Sequence, residues 1–266
     1  MQKALIVIKL GGSALTDKKR IYTPRVREIH RAARQIALLR GKFSLVVVHG
    51  AGSYGHIPVK RWKLESGLTN RTQLKRVAAT KVKLLEWELI FDAIFLEHQV
   101  PLMPLLASDW VVTRNGRIES ADLRPIRNWL NMGCVPSTGG DLVTDVRNGF
   151  SVVSGDQLAA YIAIRLEASH LIFGTDVDGI FSSNPKLDPH ARLLRELTAR
   201  SALRVTRRAK ISTTPDVTGG MAGKIEEAVA VASKGIPVSF TNLNKNERLM
   251  KVALGQKVPC SRIIPN

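Results

Sequence analysis

The sequence predicts an α/β fold built on one mainly parallel sheet, with a ligand site at one edge of that sheet. Three observations lead to this prediction. Short apolar runs, such as residues 4–10 and 45–48, alternate with stretches that carry apolar residues at helical spacing. Glycine-rich turns follow several of these runs. Ligands of open α/β sheets bind at the carboxyl ends of the strands, where such turns lie.

The first two strands and the helix between them form a βαβ unit. Residues 4–10 are a continuous apolar strand that ends at Gly11-Gly12. Pro24 stands where a helix can begin, and apolar residues at helical spacing follow it. Residues 45–48 are the second strand. Because the crossover makes the two strands parallel, the turns that follow them fall at the same edge of the sheet.

The remaining elements continue the alternation of helix and strand, and we expect them to belong to one continuous sheet. No Pro or Gly interrupts residues 70–98, which predicts a long helix. Asn115-Gly116 and Asn148-Gly149 indicate hairpins, and Ser154 can cap a helix. The other predicted elements are strands at 101–106, 135–138, 170–174, 236–240 and 258–264, a basic and less patterned stretch at 195–215, and a helix from about 224 to 235.

The charge of the chain favours anionic ligands. It carries 40 Lys and Arg against 22 Asp and Glu, a formal net charge of +18. These residues are dispersed and aromatic residues make up only 5% of the chain, which favours a generally basic surface over a nucleic-acid groove. No apolar run approaches the roughly 20 residues that span a bilayer. Cys134 and Cys260 lack metal-binding spacing, so we expect a cytoplasmic protein without a membrane partner.

The glycine-rich stretch at 49–56 reads HGAGSYGH and follows the second strand. Its small residues remove the side chains that would keep an anion away from backbone N–H groups. A helix that begins near Ser53 would direct its N-terminal N–H groups and its dipole to the same point. His56 would add a charge there, whereas His49, which ends the strand directly, is interpreted as a packed or backbone-bonded histidine.

Further glycine turns at Gly11-Gly12, Gly155 and Gly219-Gly220 share this arrangement, and none matches a P-loop or a dinucleotide fingerprint. Three lysines stand near these turns: Lys9, Lys18 and Lys224. A single lysine is typical of a solvated surface. Lysines beside glycine turns suit phosphoryl transfer, which needs donors and cations that hold two sets of phosphates in line.

Five motifs stand in order along the chain: KLGGS at 9–13, HGAGSYGH at 49–56, SGDQ at 154–157, GTDVDG at 174–179 and DVTGGMAGK at 216–224. Together they cover nearly the whole chain and resemble the motifs of the amino-acid kinase superfamily. His56, after the Gly-Ala-Gly-Ser-aromatic-Gly turn, resembles the isopentenyl phosphate kinase branch of that superfamily in particular.

The resemblance implies an open αβα sandwich forming a single domain over 1–266. An acceptor-phosphate lobe would span about 1–153 and a nucleotide lobe about 154–266. It further implies direct in-line transfer of a phosphoryl group from ATP to isopentenyl phosphate, giving isopentenyl diphosphate. Mg²⁺ would lie chiefly on the ATP phosphates, without a named protein ligand, and the protein would be a homodimer.

The resemblance also implies a role for each matched residue. The residues that would contact the transferring phosphoryl group are Lys9, Gly11, Gly12 and Ser13. Lys18 matches the superfamily's transition-state lysine, with Lys19 beside it, and Asp156 would orient the lysines. His56 would bind the acceptor phosphate, and the phosphates would be cradled by Ala51, Gly52, Gly55 and Gly155. The residues that would serve the nucleotide are Asp176, Gly179, Gly219 and Lys224.

Two local features and two alternatives complete the expectations. An acceptor with an apolar tail needs an apolar wall beside the phosphate turn, and the helix at 74–96 is the candidate. Gly139-Gly140 before Asp141 departs from the superfamily pattern and predicts a looser loop. The alternatives are a related kinase, such as a fosfomycin or uridylate kinase, and a non-catalytic protein that binds anions or nucleic acid.

Overall fold

The computed structural model describes residues 3–212 and 220–265. Its strands are β1 (Leu5–Leu10), β2 (Ser44–His49), β3 (Leu102–Pro104), β4 (Val111–Arg114), β5 (Arg117–Ala121), β6 (Val135–Gly139), β7 (Asp141–Asp145), β8 (Gly149–Val153), β9 (His170–Thr175), β10 (Glu196–Leu197), β11 (Val238–Asn242) and β12 (Ser261–Ile263). Its helices are α1 (Gly12–Leu15), α2 (Val26–Leu39), α3 (Gly52–Arg61), α4 (Gln73–Glu97), α5 (Ala107–Trp110), α6 (Arg124–Asn131), α7 (Gly155–Arg165), α8 (Ala199–Ser212), α9 (Gly220–Ala232) and α10 (Arg248–Ala253).

The main sheet has eight strands in the order β10-β12-β11-β9-β1-β2-β6-β3. All neighbouring strands are parallel except β11 and β12, which are antiparallel. The central strands β1 and β2 are buried over nearly their whole length, as their continuous apolar sequences require. The prediction of a mainly parallel sheet is confirmed.

Helices cover both faces of this sheet. Successive residues of a strand point to opposite faces. Val7 belongs to a core cluster formed with residues of α7 and α9. Its neighbours Ile6 and Ile8 belong to a second cluster, formed with residues of α2, α4 and α10. The layers are therefore those of the αβα sandwich that the resemblance implies.

A second sheet of four strands, in the order β5-β4-β7-β8, corrects the expectation of one continuous sheet. Both predicted hairpins are present in it, β4–β5 around Asn115-Gly116 and β7–β8 before Gly149. The hairpins pair with each other, because the carboxylate of Asp145 accepts hydrogen bonds from turn N–H groups of both. Gly116 N donates to it at 2.8 Å and Asn148 N at 2.8 Å.

Other elements differ from the predictions in extent. The strand expected at 101–106 is limited to the three residues of β3, and the short helix α5 follows at Ala107. The stretch at 195–215 contains the amphipathic helix α8, and α6 and α10 were not predicted. Ser154 caps α7 as expected, since its Oγ accepts the N–H of Gln157 at 3.1 Å. None of the helices in the described part of the chain is long and apolar enough to cross a membrane.

Candidate active site

The ends of four neighbouring strands lie level at the carboxyl edge of the main sheet. Leu10 of β1 is in register with His49 of β2 and with Gly174 of β9. His49 is in register with Gly139 of β6. The turns that follow these strands therefore emerge side by side, and the prediction that the first two glycine turns share one edge is confirmed.

A cleft of about 1270 Å³ opens at this edge. Every predicted site residue that the structure describes lines it: Lys9, Gly11, Gly12, Ser13, Lys18, Ala51, Gly52, Gly55, His56, Gly155, Asp156, Asp176, Gly179 and Lys224. Gly219 lies outside the described residues. The cleft exceeds the roughly 300–1,000 Å³ of a common ligand pocket, so it has room for two substrates.

The first two glycine turns pack backbone against backbone. A Cβ on Gly12 would lie 2.6 Å from the N of Gly52, and a Cβ on Gly50 would lie 2.5 Å from the N of Gly12. Gly52 also has a φ of +51°, which favours glycine. Thr16 joins the two turns, because its Oγ1 donates to Gly12 O and accepts the N–H of Ser53, both at 2.9 Å.

Four of the described helices begin at the cleft, α1 at Gly12, α3 at Gly52, α7 at Gly155 and α9 at Gly220. The first N–H groups of a helix have no partner inside it, and they attract anions. Gly11 differs from these residues, because its N–H donates to Gly174 O at 2.8 Å within the strand layer. Gly11 therefore lets its main chain approach that of Gly174, and its N–H is not available to a ligand. The motif alone does not reveal this distinction.

Two lysines meet one aspartate in the centre of the cleft. Lys9 Nζ lies 2.6 Å from Asp156 Oδ1, and Lys224 Nζ lies 2.9 Å from Asp156 Oδ2. Lys9 is 4% exposed and Asp156 is 2% exposed. Charged side chains are rarely buried so completely unless they are paired. The two cations and one anion leave one net positive charge in the centre of the cleft.

Burial and these neighbours change the pKa values of the three groups. Burial lowers the pKa of Lys9 to about 8, although Asp156 opposes this change. Burial alone would raise the pKa of Asp156, but Lys224 and Lys9 outweigh it and hold that pKa well below its usual range. Asp156 is therefore ionised at neutral pH and keeps the two lysines in place.

Lys18 lies at the exposed rim of the cleft. Its charge reaches two groups inside, since it contributes to lowering the pKa of both Lys9 and Asp176. Lys19 is not among the residues that line the cleft, and its N–H donates to Asp17 Oδ1. The structure therefore brings Lys18, rather than Lys19, to the other site lysines.

Half-buried His56 lies in the second turn of α3 and faces the cleft. Apolar side chains follow it along the wall: Ile57, Val59, Leu84, Leu142 and Val152. Leu84 comes from α4, as the sequence predicted for the helix at 74–96. The other four come from α3 and from the β7–β8 hairpin, whose contribution was missed because only tertiary packing brings it to the wall.

Elsewhere in the cleft, Asp176 follows β9 and contacts Lys186 Nζ. Burial alone would raise the pKa of Asp176, but its hydrogen bond and attraction to Lys186 outweigh burial and lower it. Lys186 also lines the cleft. Sequence reasoning missed it, although the Asn184-Pro185 turn before it was a signal. Asp178 points elsewhere and accepts a hydrogen bond from Asn242 Nδ2 at 2.9 Å.

Comparisons with known proteins agree with this geometry. The model of the amino acid kinase family matches residues 4–242. An isopentenyl phosphate kinase of Methanothermobacter thermautotrophicus is 37% identical, covering 97% of this chain and 98% of that protein.

Solved structures give the same result. An X-ray structure of an isopentenyl phosphate kinase superposes with a TM-score of 0.84 at 32% identity, covering 97% of this chain and 99% of that one. UMP kinase from Ureaplasma parvum superposes with a TM-score of 0.64 at 18% identity, which shows the fold alone. The chain therefore belongs to the amino acid kinase family and, within it, to the isopentenyl phosphate kinases.

Proposed function

We propose that the protein transfers the γ-phosphoryl group of ATP to isopentenyl phosphate and releases isopentenyl diphosphate and ADP. The observation that carries this proposal is the cationic centre of Lys9, Asp156 and Lys224, which lies in one cleft with His56 and with Asp176. Two anionic substrates must approach each other for this reaction, and fixed cations and backbone dipoles offset their repulsion.

The transfer proceeds directly, without a phosphoenzyme. An oxygen of the acceptor phosphate forms a bond to the γ-phosphorus of ATP while the bond from that phosphorus to the β,γ-bridging oxygen breaks, and the electron pair leaves with ADP. Lys9 and Lys18 stabilise the charge on the moving group, and Lys224 holds the nucleotide phosphates. Asp156 keeps Lys9 and Lys224 oriented.

His56 binds the acceptor phosphate. An adjacent anion favours the protonated form of an imidazole, which then donates a charge-assisted hydrogen bond. Gly52 and Gly55, with Ala51 and Gly155, leave room for the phosphates because they carry little or no side chain. Beyond His56, the apolar wall that includes Leu84 contacts the isopentenyl tail.

Mg²⁺ enters as part of the ATP substrate, held by its phosphates, and neutralises part of their charge. The carboxylates that line the cleft are paired with lysines, Asp156 with Lys9 and Lys224, Asp176 with Lys186 and Asp141 with Lys81. Among the described residues there is no group of three or more His, Cys, Asp or Glu that could hold a metal ion.

Residues 1–153 form the acceptor lobe of a single domain and residues 154–266 the nucleotide lobe, in a cytoplasmic homodimer. An exposed apolar stripe on α4 supports self-association: Val82, Leu85, Leu89 and Leu96. Its spacing of three, four and seven residues is that of a helix-packing seam. Analytical ultracentrifugation of wild type and of Leu89→Glu tests it, and a monomeric wild type contradicts the dimer.

A coupled assay of ADP release tests the substrate. Isopentenyl phosphate, dimethylallyl phosphate, UMP, glutamate and fosfomycin are compared at equal concentration. We expect turnover of isopentenyl phosphate to exceed that of UMP, glutamate and fosfomycin by at least about a hundredfold, because an apolar wall suits none of these three. Comparable turnover of UMP or glutamate would contradict the assignment of the acceptor.

Replacing His56 by Ala separates the two halves of the cleft. We expect kcat/KM for isopentenyl phosphate to fall about a hundredfold or more, because one charge-assisted donor is lost. The KM for ATP should change less than about twofold, since His56 lies on the acceptor side. If binding of isopentenyl phosphate and of ATP weakened equally, His56 would not be specific to the acceptor.

A further inference from the structure

A buried polar cluster lies beneath the acceptor turn, and the proposed mechanism does not use it. Its centre is His49, which is 2% exposed and precedes Gly50 directly. His49 Nε2 lies 2.7 Å from Glu88 Oε2, and the indole N–H of Trp87 donates to His49 Nδ1 at 3.0 Å. The ring also packs on Phe91, with centroids 4.7 Å apart. Helix α4 supplies all three partners.

These contacts determine the proton position on His49. Nδ1 accepts the Trp87 N–H and therefore carries no proton, so Nε2 carries the proton and faces Glu88 Oε2 at 2.7 Å. Burial would lower the pKa of His49, and Glu88 with Asp92 outweighs burial and raises it. Protonation of Nδ1 would nevertheless set two N–H groups against each other. The ring is held from both sides.

His49 also contacts the two turns beside its own. Its ring occupies the place where a Cβ of Gly139 would lie, which explains why that position is glycine. Its carbonyl accepts the N–H of Gly140 at 3.2 Å, and a Cβ on Gly155 would lie 2.9 Å from the same oxygen. The loop at Gly139-Gly140 is therefore tied to His49 rather than loosened, contrary to the sequence-based expectation.

We propose that His49, held by Glu88 and Trp87, is a positioning residue that sets the separation between the acceptor turn and the start of α7. The inference rests on the proposed function, in which the acceptor phosphate lies at that turn. The acceptor turn begins at Gly50 and α7 begins at Gly155, and both adjoin the main chain of His49. A displacement of about 1 Å between reacting groups can lower a rate about a hundredfold.

Two variants of Glu88 test the role without touching the cleft glycines. Glu88→Ala removes the acceptor of the His49 N–H, and we expect kcat/KM for isopentenyl phosphate to fall about thirtyfold to a hundredfold. The KM for ATP should change less than about twofold. Glu88→Gln retains a carbonyl oxygen that accepts the same hydrogen bond, and it should stay within about fivefold of wild type.

Phe95→Leu is the matched control, because Phe95 is buried in the same core cluster on the same helix and none of the contacts of His49 involves it. It should lower Tm while leaving both KM values close to wild type. A loss of activity in Glu88→Ala that Phe95→Leu reproduces at equal Tm would overturn the positioning role. So would a Glu88→Gln variant as impaired as Glu88→Ala.

Binding of inorganic phosphate, measured by calorimetry, separates this inference from the proposed function. We expect Glu88→Ala to bind phosphate at least about tenfold more weakly than wild type, with Glu88→Gln close to wild type. Unchanged phosphate affinity in Glu88→Ala, together with unchanged kcat, overturns the inference. A wild type that binds phosphate but does not phosphorylate isopentenyl phosphate overturns the proposed function alone.

Discussion

The two sides of the cleft are built in different ways. On the acceptor side the chain itself forms the site, and a Cβ on Gly50 would lie 2.5 Å from the main chain of Gly12. On the proposed nucleotide side, Asp176 is held by a charged side chain, that of Lys186. Asp176 is largely covered, whereas the side chain of Lys186 is 58% exposed.

This difference determines how firmly each part of the site is positioned. Main-chain groups packed against each other cannot move independently, so the position of the acceptor phosphate follows from the fold. Exposed ion pairs contribute little to stability and rearrange readily. The Lys186–Asp176 pair can therefore adjust to a ligand, while the turns at Gly12 and Gly50 are fixed before a ligand arrives. Lys9 and Asp156 join the two sides and are both buried.

The largest effect is expected from Lys9, because it serves both sides. Lys9→Met removes the buried cation and leaves Asp156 with one lysine. We expect kcat to fall about a thousandfold, the upper range for losing one preorganised donor to a transition-state charge. Steady-state ADP release measures it, with circular dichroism to confirm folding. A loss below tenfold in a folded variant would place the charge stabilisation elsewhere.

Gly50→Ala breaks the main-chain contact of the acceptor side alone. The added Cβ meets the N of Gly12, which cannot move without shifting α1. We expect kcat/KM for isopentenyl phosphate to fall about a hundredfold. Gly41→Ala is the matched control, since a Cβ there has no atom within 4 Å and should change nothing. Equal activity of the two variants would mean that the acceptor turn is not rigid.

The pH dependence sharpens the role of Lys9. A lysine is cationic below its pKa, so kcat/KM should fall as the pH rises through about 8. The fall in kcat should occur at a higher pH than the fall in kcat/KM, because bound phosphates favour the cationic form of Lys9. The Lys9→Arg variant keeps its positive charge over this pH range, so kcat/KM should no longer fall as the pH rises through about 8. If the fall in kcat/KM persists in Lys9→Arg, it reports the titration of another group.

Unfolding does not explain such a fall in activity. The pKa of Lys9 is about 8 in the folded protein against an ordinary lysine value of 10.5. Between these values the unfolded chain binds more protons than the folded one, so this group makes folding more favourable as the pH rises. A pH titration of Tm checks the sign, because the contribution of Lys9 to the slope of Tm against pH should be positive between pH 8 and 10.5.

The smallest effect is expected from Lys186→Ala, which removes the exposed partner of Asp176. We expect the KM for ATP to change less than about threefold, because an exposed pair of this kind contributes about 0–1 kcal/mol. The KM for isopentenyl phosphate should stay the same. An effect above tenfold on ATP would show that Lys186 contacts the nucleotide directly, and the nucleotide side would then be more rigid than its exposure indicates.

Most of the site could be predicted from the chain because it lies in short motifs directly after strands. Lys9 and His56 belong to such motifs, and parallel pairing brings their turns together. Leu142 and Val152 of the apolar wall could not be predicted, because the pairing of two hairpins into a second sheet brings them to the cleft. The role of Gly139 was also hidden, since the ring beside it comes from a residue ninety positions earlier.

The sequence by itself determined the strand-turn pattern, the mainly parallel sheet and the set of glycine-rich turns, because these depend on local spacing and on small residues that a turn requires. Only the tertiary structure decided which groups touch. It placed Lys9 and Lys224 on the two oxygens of Asp156 and put Trp87 and Glu88 on opposite sides of the His49 ring. The physical reason is that close packing selects one partner for each buried polar group, and those partners lie on elements far apart in the chain.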